Sequence, residues 1–367
     1  MNAKEKIVFV LPQLKTGGGV RVITELSNVL VKKYDVRIVI PFGKSECTFY
    51  IDPAIKIEAI GEPGGGVRKK VGNIVKMFRY VQKRYRNEKV ITTDPIFSAL
   101  FILFPVKRLC RYVQADDYRI FDDLLLLKNR FFLTLYKMMT KLSYRADICY
   151  FFNSTYTWRQ FVRTSGREVP KKIVHPAINH TVFHPRGRVL EEGKLRLCLI
   201  ARKHPMKRFE DFVTVWERIK QIPEVRKKIA GVYVISHDDL SAWNLEDFTM
   251  VVPQKDEEIA DTMRHSDIYI FTSLWEGFGL PPLEAMACGC AVIASDAKGI
   301  DEYATDGKNA LIYPPADTAK LQAALLRLIE NEALRSELSQ NAIETARNFS
   351  WERSAQALEK ILKEYDA

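Results

Sequence analysis

The chain has 367 residues, 47% hydrophobic and 28% charged, with six cysteines and a net charge of +11. That composition is globular and the length suits two cores, which excludes a disordered chain or a small disulfide-stapled scaffold. The cysteines lack metal-ligand spacing, no apolar run reaches the length of a membrane span, and the first run, Ile7 to Leu11, is too short for a secretory signal, so a cytoplasmic protein with reduced thiols is expected.

The charge is uneven. Residues 1–180 carry +17 and residues 181–367 carry −6. A basic half suggests an anionic partner: a nucleic acid, an anionic membrane or a phosphorylated acceptor. A solvated basic surface gives the same sign.

Lys6 to Leu11 reads as a short buried strand, followed by Thr16-Gly17-Gly18-Gly19. Val20, Val22, Ile23, Leu26, Val29 and Leu30 then keep helical spacing. Strand, glycine turn and helix open a nucleotide-type α/β domain, and Gly18 and Gly19 let backbone approach a phosphate or an acceptor. Further strands are expected at Val36–Ile40, Val90–Thr93, Cys110–Gln114 and Ile148–Phe152. Between them, Arg68 to Lys89 holds nine basic residues and one acid, Glu88. Val71, Ile74, Val75, Phe78, Val81 and Tyr85 make it an amphipathic basic helix, suited to an anionic membrane or to core packing with a basic outer face. Phe131, Phe132, Leu135, Tyr136, Met138 and Met139, flanked by Lys137, Lys141 and Arg145, either extend that patch or belong to the core.

A second series of strands begins at Leu195–Ile200 and continues at Val232–Ile235, Met250–Val252, Ile268–Phe271 and Ala291–Ala294. Helical patterns at Phe209–Ile219 and Glu257–Met263 separate them. Two βαβ series in tandem predict two doubly wound domains facing one cleft, joined near Val174 to Asn179. The expected bounds are 1–178 and 179–348, with a terminal helix over 349–367.

The densest chemistry lies at Glu276-Gly277-Phe278-Gly279-Leu280-Pro281-Pro282-Leu283-Glu284. Two carboxylates flank a glycine turn, and a helix start is expected at the second. Prolines suit a first helical turn, and a helix N-terminus seats phosphate. Backbone N–H groups at Phe278, Gly279 and Leu280 would face phosphate oxygens, and the carboxylates would accept from sugar hydroxyls. A phosphorylated sugar, such as a sugar nucleotide, fits this site. Basic candidates for a diphosphate are Arg202 and Lys207, in the loop after Leu195–Ile200.

The run from Phe271 to Ala287, continuing through Gly289–Asp296 and Gly307–Pro314, closely resembles the Glu-x7-Glu signature of the retaining glycosyltransferase family called GT4. The resemblance implies the GT-B fold, an α/β class of two Rossmann-like domains around a central cleft. It also implies a last helix, Trp351 to Tyr365, that crosses back onto the first domain. It assigns the diphosphate to Arg202 and Lys207 without a metal or cofactor. Glu276 would then hold the sugar, and Glu284 the ribose. Arg208 stands where the family often has Gly, which leaves it beside Lys207 as a candidate. Many relatives carry a His after the strand that ends here in Tyr112-Val113-Gln114-Ala115-Asp116. This chain has none, and Gln114 or Asp116 is expected on the acceptor side.

The expected partners are a nucleotide-sugar donor and a glycan or lipid-linked acceptor of surface polysaccharide or glycolipid synthesis. The inner face of an anionic membrane would be reached through Arg68–Lys89. Two carboxylates also fit a glycosidase, but the phosphate seat argues against it. An epimerase-like enzyme of the same fold, or a protein that binds an anionic polymer, are the alternatives. No nucleic-acid signature supports the last, and no Gly-x-Gly-x-x-Gly with a following acid supports a dehydrogenase. A phosphorylase is expected to be much longer. Asp116-Asp117, Asp122-Asp123 and Asp238-Asp239 read as caps or solvated charge rather than metal ligands. His175, His204 and His265 read as structural.

Overall fold

In a computed structural model the described residues are 4–14, 17–42, 49–119, 130–185 and 193–366. Thr16 and the Asp122-Asp123 pair lie outside them. The chain divides into two compact units. One holds the residues up to 176 together with those from 351 onward, and the other holds residues 177–350.

The first unit alternates strands with helices: β1 (Lys6–Val10), α1 (Gly18–Leu30), β2 (Asp35–Ile40), β3 (Lys56–Ala59), α2 (Val67–Tyr85), β4 (Lys89–Thr92), α3 (Pro95–Leu100), β5 (Arg108–Val113), α4 (Arg130–Arg145), β6 (Cys149–Phe152) and α5 (Thr155–Ser165). The strands pair in parallel in the order β3-β2-β1-β4-β5-β6. The chain leaves β1 in one direction and returns to its other side at β4, so the sheet reverses between these two strands. Edge strand β3 was not expected. Its Lys56 and Glu58 interrupt the apolar run by which a buried strand is recognised.

The second unit contains β7 (Leu195–Ile200), α6 (Phe209–Ile219), α7 (Pro223–Arg226), β8 (Ile229–Ile235), β9 (Phe248–Val251), α8 (Asp256–Arg264), β10 (Ile268–Phe271), α9 (Leu280–Ala287), β11 (Ala291–Ser295), β12 (Leu311–Tyr313), α10 (Thr318–Glu330) and α11 (Glu332–Ala346). Its order, β12-β11-β10-β7-β8-β9, reverses between β7 and β10. Alternate side chains of each strand feed opposite faces, as the pleat requires. Leu197, Leu199, Ile268, Ile270 and Ile293 pack with Phe212, Trp216, Leu321 and Leu325. Cys198, Tyr269, Phe271, Val292 and Ala294 pack with Leu283, Met286 and Ala342 on the other side.

The last helix, α12 (Trp351–Asp366), packs on α1 in the first unit. Lys33 Nζ reaches Glu359 at 3.0 Å, and Ser354 Oγ donates to His175 O at 2.6 Å.

Two helices of the first unit use their apolar stripes in opposite ways. Helix α2 buries Met77, Phe78, Val81 and Tyr85, and Phe78 meets Phe97 and Phe101 edge to face and stacks on Phe104. Its basic residues form the outer face, so its apolar stripe is core. Helix α4 buries Thr140, Ser143 and Tyr144 and leaves Phe131, Phe132, Leu135, Met138 and Leu142 exposed. No helix among the described residues is long and apolar enough to cross a membrane.

Candidate functional site

In open α/β sheets, ligands bind outside the carboxyl ends of strands where the order reverses. In the second unit that point lies between β7 and β10. The loop after β7 carries Arg202 and Lys207, and the loop after β10 carries Glu276.

Lys207 sits in a single 3-10 turn, Pro205–Lys207. The turn is tied to the end of β10 by Thr272 Oγ1, which donates to Lys207 O at 2.6 Å, and by Leu274 N, which donates to Met206 O at 2.8 Å. The Lys207 ammonium pairs with Glu276 Oε1. Ser273 Oγ donates to the same oxygen at 2.8 Å. Oε2 of Glu276 has no partner among the described residues and is available to a ligand hydroxyl. Arg208 is spent elsewhere: it has φ 51° and binds Asp211 at 2.6 Å and Glu210 at 3.1 Å. Geometry therefore separates Lys207, which meets Glu276, from Arg208, which braces the start of α6.

Arg202 is half exposed, and its Nε donates to Asp238 Oδ2 at 3.0 Å. Lys203 N donates to the same oxygen at 2.7 Å. Burial pushes the Asp238 carboxyl up, but the Lys203 amide and Arg202 outweigh it and hold it below the usual carboxylate range. Asp238 is thus a loop anchor rather than solvated charge. Asp239 does act as a cap, accepting from Ser241 N at 3.0 Å. Burial, then Lys207 and Arg202, lower His204, which places that imidazole in the field of both cations.

The turn after Glu276 is built by close backbone approach. Glu276 N donates to Ala297 O at 2.8 Å, and Glu276 forms a bridge with Lys298. A Cβ on Gly299 would lie 2.5 Å from Glu276 O and 2.6 Å from both Gly277 C and Phe278 N. Gly279 has φ 82° and precedes the first residue of α9, Leu280. Tyr303 Oη donates to Gly279 O. Lys298, a non-glycine at φ 66°, holds its ammonium on Asp296. The helix therefore starts four residues before Glu284 rather than at it. The left-handed Gly279 and the Pro281-Pro282 pair fix the start there. Glu284 lies in the second turn and is 2% exposed.

In the first unit, Gly18 and Gly19 begin α1 at the carboxyl end of β1. Gln114, after β5, donates from Nε2 to Gly19 O at 3.4 Å, and its own carbonyl accepts from Asn153 Nδ2 at 2.7 Å. Asp116 and Asp117 are both buried rather than solvated; Asp116 Oδ1 accepts from Arg119 N at 3.4 Å, in keeping with the alternative reading as a cap. Arg111 is fully buried beneath them. It pairs with Asp117, donates to Ser143 Oγ and lies 5.0 Å from the Tyr144 ring centre. Burial pushes the Asp117 carboxyl up to about 6 despite Arg111.

Sequence reasoning missed Ser273, Asp238, Gly299 and Tyr303. Asp238, Gly299 and Tyr303 act on residues of another loop, and pairing of non-adjacent segments leaves no local pattern, whereas Ser273 acts three residues along its own loop, where a serine alone carries no signal. Among the described residues, no cluster of three His, Cys, Asp or Glu side chains could hold a metal ion.

Residues 183–345 match the family profile of glycosyl transferases group 1. A D-inositol 3-phosphate glycosyltransferase from a Nocardioides species is 28% identical over 211 residues, half of this chain and 46% of that protein. The chain spans about a third to a half of the curated relatives it matches. Sucrose-phosphate synthase from Thermosynechococcus elongatus superposes with a TM-score of 0.81, covering 98% of this chain and 99% of the other at 17% identity. The Anabaena protein HepE, crystallised with UDP-glucose, superposes at 0.73 over 98% and 99%, at 15% identity. The two six-stranded parallel sheets with flanking helices are those of the GT-B class.

Proposed function

We propose that this chain, whose residues 183–345 match the profile of glycosyl transferases group 1, moves a sugar from a nucleotide-sugar donor to a glycan or lipid-linked acceptor. The observation that carries the proposal is the Lys207–Glu276 pair at the reversal point of the second sheet, beside the start of α9. A cation and a helix N-terminus neutralise a leaving diphosphate, and a carboxylate with one open oxygen orients the sugar. Arg202 and Lys207 serve the diphosphate, together with the backbone of Gly277, Phe278, Gly279 and Leu280. Glu276 accepts from sugar hydroxyls. Glu284 accepts from the ribose through the small edge it leaves exposed. Gln114 and Asp116 belong to the acceptor side, and Gly18 and Gly19 give backbone access there.

The proposed reaction retains configuration and uses no metal. The acceptor oxygen bonds to the anomeric carbon on the face the phosphate leaves. The anomeric C–O bond to phosphate breaks, and the acceptor proton passes to the leaving phosphate. An NMR measurement of the product's anomeric coupling tests retention, and an inverted product rejects this step. The acceptor is proposed to be anchored at the inner face of an anionic membrane, in surface polysaccharide or glycolipid synthesis. The basic outer face of α2 would hold the protein there peripherally. Glu276→Gln is expected to abolish most turnover while the thermal midpoint is kept. Wild-type activity of that variant with every nucleotide sugar tried rejects the proposal.

A further inference from the structure

We infer that α4 is the element that enters the lipid surface, rather than α2. The inference deepens the membrane reading above and rests on it. It starts from an inverted helix. Residues 131, 135, 138 and 142 share one face of α4, and there stand Phe, Leu, Met and Leu, all exposed. Phe131 is 71% exposed, Met138 57% and the adjoining Phe132 55%. The opposite face, directed into the unit, buries Thr140, Ser143 and Tyr144 and half-buries Leu133 and Tyr136, so it mixes hydroxyls and aromatic rings with a single aliphatic side chain. A soluble surface helix turns its apolar stripe inward. A contiguous apolar stripe left in water marks a docking surface.

The polar inward face has a cause. Arg111 on β5 is wholly buried, and a buried charge needs polar partners. Ser143 Oγ accepts from its guanidinium, the Tyr144 ring lies against it, and Tyr150 donates to Ser143 O at 2.5 Å. Meeting Arg111 commits the polar stripe of α4 to the interior and leaves the apolar stripe outside.

Charge selects the occupant. Helix α4 carries Arg130, Lys137, Lys141 and Arg145 and no acid. Helix α2 adds seven basic residues and no acid. The two helices lie on the same flank of the sheet, joined through α3: Phe78 of α2 meets Phe97 of α3 edge to face, and α3 packs along α4. Beyond α3, Ile102 and Leu103 are also exposed. Apolar side chains whose charged neighbours within the described α2 and α4 are all cations match an anionic bilayer, with apolar groups at the acyl boundary and cations at the headgroups. A second copy of the chain would set two cationic faces against each other. A nucleic acid would satisfy the cations but leave Leu135, Met138 and Leu142 in water, since aliphatic side chains do not stack on bases.

The test is co-sedimentation of the full chain with vesicles of phosphatidylcholine alone or mixed with phosphatidylglycerol. Wild type is expected to bind the anionic vesicles at least tenfold more strongly and to keep part of that binding in high salt. Phe131→Glu with Phe132→Glu should reduce binding at least tenfold without moving the thermal midpoint, because both residues are exposed. Lys69→Glu with Lys70→Glu on α2 should weaken only the salt-sensitive part. If the α4 variant binds like wild type and the α2 variant does not, the membrane reading stands and the role of α4 is overturned. If wild type binds neither vesicle, both fall. Self-association of wild type that the α4 variant abolishes, without vesicle binding, assigns the stripe to a second copy and overturns the inference.

Discussion

Gly299→Ala isolates the architecture of the site from its charges. Gly299 does not have a positive φ, so alanine is conformationally acceptable there and the perturbation is steric. The new Cβ would sit 2.5 Å from Glu276 O and 2.6 Å from Gly277 C and Phe278 N. All three are backbone atoms, and no flexible side chain can move aside. Ordinary contact needs the two strands of the turn to part by about 1 Å, and overpacking of this kind costs about 1–3 kcal/mol. For a unit of this size that lowers the thermal midpoint by about 3–9 °C. Glu276 must move with its own carbonyl, and a 1 Å misplacement at a reacting centre costs roughly a hundredfold in rate. The assay is sugar transfer or donor hydrolysis at saturating donor, set beside thermal unfolding. Gly72→Ala is the control. Gly72 lies in α2 with nothing within 4 Å of the added Cβ, and that change should stabilise by about 0.4–1 kcal/mol with unchanged turnover. Wild-type turnover in Gly299→Ala would refute the reasoning that this backbone contact sets Glu276.

Lys207→Met removes the cation on Glu276 and is expected to lower kcat about 100- to 1000-fold, whereas Arg202→Ala, at a half-exposed residue held by Asp238, should act mainly on KM; equal effects of the two on kcat would contradict their separate placement. Ser273→Ala removes one of two donors to Glu276 Oε1 and should cost about 1 kcal/mol of transition-state stabilisation, read from kcat/KM. Turnover should persist in excess chelator, and loss restored by magnesium or manganese would reject the metal-free step. His204 is lowered by burial, then by Lys207 and Arg202, and is therefore neutral at pH 7. A bound diphosphate offsets the two cations and raises it, so binding takes up a proton and nucleoside diphosphate affinity should tighten as pH falls toward the usual imidazole range. Calorimetry in buffers of different ionisation enthalpy measures that uptake, and the same uptake in His204→Gln would assign it elsewhere.

The strand-turn-helix unit that carries Glu276 and Glu284 was legible because its parts are contiguous from Phe271 to Ala287. The chain spells that unit out in order, glycines and prolines included. Gly299 was not legible as its structural partner. It lies across the turn from Glu276 only because β10 and β11 pair in parallel, and a glycine in Ala297-Lys298-Gly299-Ile300 looks locally like any turn. Asp238 reaches Arg202 and Lys203 for the same reason, through the pairing of β7 with β8. Local pattern specifies elements, and the site is completed by contacts between elements.

The helices of the first unit show a different limit. Both α2 and α4 carry a marked apolar stripe, and periodicity assigns a direction to a stripe without saying what lies on that side. In α2 the stripe meets Phe97, Phe101 and Phe104, and burial wins. In α4 the deciding residue is on another element. Arg111 sits in a strand among Leu109, Cys110, Tyr112 and Val113, where alternation would place a charged side chain toward water. Instead it is buried, with Asp117 six residues ahead and Ser143 thirty-two ahead as partners. Leaving that charge without them would cost about 3–5 kcal/mol, which offsets the exposure of two or so apolar side chains at about 1.5–3 kcal/mol each but not of the whole stripe. On the proposed membrane reading, a lipid surface that takes up those side chains would offset the remainder, which would link the interior electrostatics of β5 to the exterior chemistry of α4. Replacing Arg111 with Met should remove the demand for a polar inward face. Solvent exposure of the α4 stripe, followed by hydrogen exchange along Arg130–Arg145, should then change, and an unaltered exchange pattern would show that the orientation of α4 is set by something other than Arg111.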